Sequence, residues 1–256
     1  GAGNPLFSKS GFPANKQPFM RLDKFLSDTG KLSRKEASAA VKRGRVTVDG
    51  GAVRDPAKHI DPDTAAVTLD GECITFKRFT YILLEKPEGY ISSTEGGDRT
   101  VMKLLPPEYS KKGLFPCGRL DRDTTGVLLV TDDGEMAHML LSPKHHVSKI
   151  YRFTLTVPAP ADTEERFYSG ITIGDEECAP SEVVFDEGRK SGEITLTEGK
   201  FHQVKRMFVA VGTEVATLRR IKFGPLTEDT TLSPGEWREL TDAEVQALAD
   251  AAKIER

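Results

Sequence analysis

Residues 118–134, GRLDRDTTGVLLVTDDG, allow few local structures. The apolar run 127–130 sits between polar segments and reads as a buried strand. Ahead of it is a polar loop in which Asp121 lies between Arg119 and Arg122, and after it comes the turn Asp132, Asp133, Gly134. A strand entering a core anchors such a loop, and the flanking guanidinium groups favour an ionised carboxylate. An acid held in this way suits chemistry on an anionic polymer.

The formal net charge of −3 conceals a segregation. Residues 20–50 hold eight basic and four acidic side chains, a net +4, and residues 199–225 hold six against one, a net +5. Residues 162–198 run the other way, with eleven acids against three bases, a net −8. One positive patch would read as a solvated face; two on an acidic body fit a polyanion bound at chosen places. The three cysteines, Cys73, Cys117 and Cys178, are scattered without a CxxC pair. That pattern argues against a disulfide framework or a structural zinc and for a reducing cytoplasm. No apolar run approaches the length of a membrane span, so no membrane partner is expected. Residues 1–19 lack periodicity and the apolar stretch of a signal peptide; they read as an expression remnant or a disordered lead, with Met20 the expected native start.

Periodicity divides the remainder in two, at residues 20–77 and 79–256. In the first part Leu22, Phe25 and Leu26 have helical spacing, and Ser33 to Glu36 form a capping box for a second helix. That helix turns Ala37, Ala40 and Val41 inward and Arg34, Lys35, Lys42 and Arg43 outward, with Gly44 as its C-cap. Arg45 to Val48 alternate like a strand and end in the turn Asp49-Gly50. In the second part, strands are expected at 79–84, 127–130, 150–157, 183–185 and 194–197, with KPEGY at 86–90 ending the first in a turn. Helices are expected at 135–141, 161–169, 201–211 and 242–254. The order is neither a strict βαβ alternation nor an all-β run, so the expected class is α+β with a mixed, mainly antiparallel sheet.

No phosphate loop, nucleophile elbow or zinc HExxH motif is present. Gly96-Gly97 reads as a simple turn, and His145-His146 lacks metal-ligand spacing. Asp121 and Asp123 could form a two-carboxylate hydrolase pair, but neighbouring arginines would impair the acid role. A single charged aspartate better suits nucleophilic or base chemistry at a sugar carbon.

The segment SRKEASAAVKRGRVTVDG resembles the S4 RNA-binding module, whose basic second helix and following loop lie on RNA backbone. The resemblance makes Arg21, Arg34, Lys35, Lys42, Arg43 and Arg45 the expected RNA-docking residues. GRLDRDTTGVLLVTDDG resembles the catalytic motif of pseudouridine synthases in the branch that pairs an S4 module with this domain. KPEGY, KIY at 149–151, EGKFHQVKRMF at 198–208, LRRIKFGPL at 218–226 and LSPGEWREL at 232–240 are similar to further family blocks in the same order. The HQVKRMF form is most similar to the branch acting on small-subunit (16S) ribosomal RNA.

The resemblance implies isomerisation of a flipped-out uridine in ribosomal RNA, on naked RNA or on an assembling small subunit. Asp121 would be the essential carboxylate, Lys205 its counter-ion, and Tyr151 the residue stacked on the uracil and able to take the C5 proton. Leu218 would floor the base pocket, and Arg119 would wedge into the vacated stack, a step that costs a few kcal/mol. His202, Gln203 and Arg206 would shape the pocket or contact RNA. Phe153, where small aliphatic residues are common, would alter packing only. The reaction needs no redox step or group donor, so neither cofactor nor metal is expected. A monomer in the cytoplasm is the expected form. Alternatives are a large-subunit rRNA target, a catalytically silent ribosome-assembly factor and a nucleoside glycosidase that releases uracil.

Overall fold

A computed structural model describes residues 19–110 and 113–253; the lead expected at 1–19 lies outside them except for Phe19. The chain divides into two compact units between Arg78 and Phe79.

The first unit contains β1 (Met20–Arg21), α1 (Leu22–Asp28), α2 (Arg34–Lys42), β2 (Val46–Val48), β3 (Gly51–Val53), β4 (His59–Ile60), β5 (Val67–Leu69) and β6 (Glu72–Ile74). Antiparallel pairing gives one sheet in the order β3-β2-β5-β6 and a separate β1-β4 pair. The capping box forms as the sequence indicates: Ser33 Oγ accepts from the Glu36 amide, and the Glu36 carboxylate accepts from the Ser33 amide at 2.8 Å. Ala37, Ala40 and Val41 of α2 are buried with Leu22, Phe25 and Leu26 of α1 against Val46 and Val67. Burial of each large side chain in that set contributes about 1.5–3 kcal/mol. Asp49 and Gly50, both at positive φ, make the two-residue turn that leaves Val48 opposite Gly51.

The second unit begins with β7 (Tyr81–Lys86), α3 (Pro107–Ser110), β8 (Phe115–Pro116), β9 (Thr124–Thr131), α4 (Gly134–Leu141) and β10 (Lys149–Leu155). It continues with α5 (Thr163–Tyr168), β11 (Thr172–Ile173), β12 (Glu176–Glu177), β13 (Glu182–Phe185), β14 (Ser191–Leu196) and α6 (Gln203–Ala210). β15 (Val215–Phe223), β16 (Leu226–Thr227), β17 (Trp237–Glu239) and α7 (Asp242–Ala252) complete it. Its main sheet runs β13-β14-β10-β15-β9-β7-β17, with β16 on β15 and β8 on β9. Among the pairings of these strands only β15–β9 is parallel; outside them Ile91 and Thr100 form one isolated parallel bridge. The class is thus the mixed, mainly antiparallel α+β fold read from the sequence.

Both faces of β9 are covered. Val127 and Leu129 pack with α4 and α7, while Leu128 and Val130 pack with Ile82, Leu84 and Leu120. A strand buried on both sides reads as an unbroken apolar run, which explains 127–130. α5 and α6 bring Phe167, Val204, Met207 and Phe208 against Phe153, Ile194 and Leu218.

Three expectations are corrected. The first strand runs from Tyr81 through Lys86, so the lysine of KPEGY belongs to the sheet. The last long strand, β15, was not expected, because its Arg219, Arg220 and Lys222 mask its alternation. Arg219 bonds the buried Glu85, and Arg220 is itself buried, donating from Nε to the Val127 carbonyl at 2.8 Å. Finally, α6 starts at Gln203 and not at Phe201, since His202 has φ +48°, outside the helical region.

Candidate active site

Asp121 lies in the loop between β8 and β9, and the loop is tied down on every side. The Leu120 amide donates to Ser92 Oγ at 3.1 Å, and that hydroxyl donates back to the Leu120 carbonyl at 3.2 Å. The Gly89 amide donates to the Arg122 carbonyl at 2.8 Å, where φ is +88° at Gly89. The Thr124 amide closes the turn on the Asp121 carbonyl at 3.1 Å. Beneath the loop is Lys86, fully buried, whose Nζ donates to the carbonyls of Thr124 at 2.7 Å, Pro87 at 3.1 Å and Arg122 at 3.4 Å. Burial lowers its pKa to about 8, against the opposing pull of Asp123 and Asp121. KPEGY is therefore the underside of the Asp121 loop, a role its turn chemistry alone does not reveal.

The carboxylate faces α6. Lys205 Nζ is 3.0 Å from Asp121 Oδ2 and 2.6 Å from Asp123 Oδ1, so one ammonium bridges both acids. His202 Nε2 is 3.4 Å from Asp121 Oδ1. The hydrogen bond from Lys205 holds Asp123 below the ordinary carboxylate range. For Lys205 burial works against the charge, but the hydrogen bonds to Asp123 and Asp121 prevail and its pKa is raised. The counter-ions of Asp121 are accordingly not the adjacent arginines, as its sequence neighbours suggest. In this turn Arg122 swings away, with Nε donating to the Gly89 carbonyl at 3.3 Å, and Arg119 is exposed with no ion pair to the described residues. Arg119 is thus free to meet a ligand.

Strand register sets where Tyr151 and Leu218 lie relative to β9. β15 runs parallel to β9, with Leu218 opposite Thr124 and Arg220 opposite Gly126. Across the next pairing Tyr151 lies opposite Arg220, and Phe153 opposite Leu218. A Cβ at Gly126 would stand 2.1 Å from the Arg220 carbonyl oxygen, so this approach of β15 to β9 requires glycine. Tyr151 is half-buried against the cluster that contains Leu120, the neighbour of Asp121. Leu218 is buried.

The rest of the 198–208 block builds the wall. Gln203 is buried; its amide nitrogen donates to Glu198 at 2.6 Å and its oxygen accepts from the Lys200 amide at 2.8 Å. Both ends of its amide are used inside the protein, where it shapes the turn. Arg206 joins α6 to the β11–β12 hairpin, bonding Glu176 at 2.7 Å and the Ile173 carbonyl at 2.8 Å. Sequence reasoning missed Lys86, Ser92 and the bridging role of Asp123. The available signal for Lys86 was its place at the end of an otherwise apolar strand.

In the first unit Lys35, Lys42 and Arg43 are free of ion pairs with the described residues, and Lys42 and Arg43 are exposed. Arg21 is bound to Asp23 at 2.7 Å, Arg34 lies 3.9 Å from the same carboxylate, and Arg45 pairs with Asp70. No group of three or more His, Cys, Asp or Glu side chains among the described residues could hold a metal. No helix among them is long and apolar enough to cross a membrane.

A braced carboxylate with a lysine counter-ion, set on a mixed sheet in a chain that opens with a basic helix–hairpin unit, defines an enzyme that works on RNA. The sequence matches the RNA pseudouridylate synthase family over residues 80–210 and the S4 domain over residues 20–64. The chain belongs to the RNA pseudouridylate synthase family, with an S4 domain ahead of the catalytic unit. Its activity is an isomerisation, from uridine to pseudouridine. It is 44% identical to the uncharacterized RNA pseudouridine synthase YtzG of Bacillus subtilis, over 90% of this chain and 98% of that one. Ribosomal small subunit pseudouridine synthase A of Vibrio cholerae is 43% identical over 90% and 99% of the two chains, and that of Escherichia coli K12 40% over 90% and 100%. A crystal structure of a pseudouridylate synthase superposes with a TM-score of 0.63 at 34% identity, covering 90% of this chain and 99% of the other.

Proposed function

We propose that this protein converts one specific uridine of small-subunit ribosomal RNA to pseudouridine, with Asp121 as the essential carboxylate. The observation that carries the reading is the Lys205 bridge, which gives Asp121 and Asp123 one shared counter-ion at the top of β9. The named small-subunit relatives, similar over nearly their whole length, support the choice of RNA.

The reaction breaks the N1–C1′ bond, rotates the uracil and joins C5 to C1′. The C5 proton leaves and N1 gains one, so no electron or group donor is consumed. Asp121 acts on the sugar, either at carbon or on the 2′ proton, and both routes need an ionised carboxylate beside a fixed cation. Tyr151 stacks on the flipped base and takes the C5 proton, Leu218 floors the pocket, and Arg119 fills the vacated stack. The free cations of α2 dock on RNA backbone, and the ion-paired Arg21, Arg34 and Arg45 contribute less.

Carbodiimide-based primer extension on ribosomal RNA from cells with and without the gene tests this directly. One stop in small-subunit RNA that disappears with the gene, and is not restored by Asp121→Asn, is the expected result. A stop restored by Asp121→Asn rejects the mechanism, and a stop in large-subunit RNA rejects the target. Release of free uracil identifies a glycosidase.

A further inference from the structure

Beside α6 lies a groove of about 370 Å³, at the small end of ligand sites, that the chemistry above does not use. Its floor is apolar: Ile173, Val209 and Ala210, with Gly174 leaving room beside them. Its basic lining comes from His202, Lys205 and Arg206. His202 and Lys205 are also the side chains that contact Asp121, so the groove adjoins the catalytic carboxylate. Tyr151 and Leu218 do not line it, which sets it apart from the pocket for the reacting base.

The aromatic lining residue is His202, and Phe201, outside the lining, backs it. The rings of Phe201 and His202 stack at 3.8 Å with 18° between their planes, and Phe201 is 70% exposed. Val209, on the floor, is 60% exposed. The wall is also fixed in place. Arg206 bonds the Phe201 carbonyl at 3.3 Å, the Ile173 carbonyl and Glu176, locking the Phe201 turn and the β11–β12 hairpin to α6. The left-handed φ of +48° at His202 is a strained conformation for a non-glycine residue, held by this packing.

We propose that this groove takes one unpaired nucleobase of the substrate RNA, from a nucleotide flanking the target uridine, with His202, backed by Phe201, as its stacking wall. The inference rests on the RNA-isomerase reading but not on which uridine is modified. A nucleobase is flat and uncharged, which suits an apolar floor and an aromatic side; its phosphates are anionic, which suits His202, Lys205 and Arg206 around it. Flipping the target uridine removes a stacking partner from its neighbour, and a protein ring can replace it. Base–aromatic stacking of this kind changes affinity by roughly 5- to 150-fold. An apolar peptide would meet the floor but gain nothing from the cations.

The test uses short RNAs containing the mapped uridine, with 2-aminopurine or an abasic site at each flanking position, and the variants Phe201→Ala and Val209→Glu. Both side chains are exposed, and an unchanged melting temperature verifies the fold. Wild-type protein should quench 2-aminopurine at one flanking position, and both variants should lose that quenching. On the parent RNA each variant should lose about tenfold in kcat/KM, carried by KM. On RNA abasic at that position the wild type should fall by the same factor and the variants no further. Equal losses on both RNAs, or no loss on either, overturn the proposal. If an oligouridylate carrying 2-aminopurine is quenched as expected while the wild type makes no pseudouridine, the isomerase reading fails and the groove stands. Unchanged quenching in both variants removes the groove whatever the activity.

Discussion

On α2 and at its C-cap, Lys35, Lys42 and Arg43 stand free of ion pairs with the described residues, and no one of them fixes another. Around Asp121 the carboxylates share a partner: Lys205 serves both Asp121 and Asp123, and Lys86 serves three carbonyls from below. The first arrangement can follow a flexible polyanion, because each cation adds its own small share of counter-ion release. The second suits a single bond-making geometry, because the loop cannot move without breaking several contacts together. Substitutions in the two regions should therefore differ in size and in kind.

The largest effect is expected for Asp121→Asn, which keeps the loop's backbone ties and removes the charge. Turnover should fall at least about 10³-fold with RNA affinity within a few-fold, measured by single-turnover kinetics and filter binding. Lys205→Met should follow, with kcat down about 10²–10³-fold, since Asp121 and Asp123 are left facing each other without their shared cation. A loss confined to KM would move Lys205 from the chemistry to the docking side of the comparison.

Lys86→Met touches no substrate in this account and tests the brace alone. Chemical denaturation should show a loss of about 1–3 kcal/mol in the catalytic unit, since three carbonyls lose their donor. The pH dependence has a definite sign. Lys86 has its folded pKa lowered to about 8 from 10.5, so above about pH 8 the folded state gives up the proton first. Its contribution makes stability rise between those values and is absent in the variant. Lys149, also lowered to about 8 by burial, keeps a similar contribution in both proteins, so the difference between the two curves isolates Lys86. Identical curves would show that burial does not lower the pKa of Lys86.

The smallest effects belong to α2. Single changes of Lys35, Lys42 or Arg43 to alanine should leave kcat untouched and lower the slope of log affinity against log salt by about 0.7 each. Arg45→Ala should do less, because Asp70 already occupies that guanidinium. A single substitution there that abolishes binding would mean the helix presents one specific contact and not an additive surface.

The two regions were also unequally legible in the sequence. The capping box, the inward alanines and the Asp49-Gly50 turn are local chemistry, written in consecutive residues, and they stand in the fold as read. The apolar run of β9 was equally plain. What stayed hidden depends on distant pairings. Asp121 has arginines beside it in sequence; only the family resemblance, not local chemistry, named Lys205 on α6 as its counter-ion. β15 looked basic and unlike a strand, because burial of Arg220 needs the Val127 carbonyl and exposure of Arg219 is relieved by Glu85. For Gln203 the sequence left pocket shaping and RNA contact both open, and its bonds to Glu198 and the Lys200 amide are visible only in the fold.

The central claim is that one carboxylate, set by Lys205 and braced from beneath, carries the isomerisation. Tritium release from small-subunit RNA labelled at uridine C5 measures it most directly, because that hydrogen leaves only when C5 bonds to the sugar. Wild-type protein should release one equivalent per RNA without freeing uracil, and Asp121→Asn should bind the same RNA and release none. Release by Asp121→Asn at a rate near that of the wild type would contradict the account.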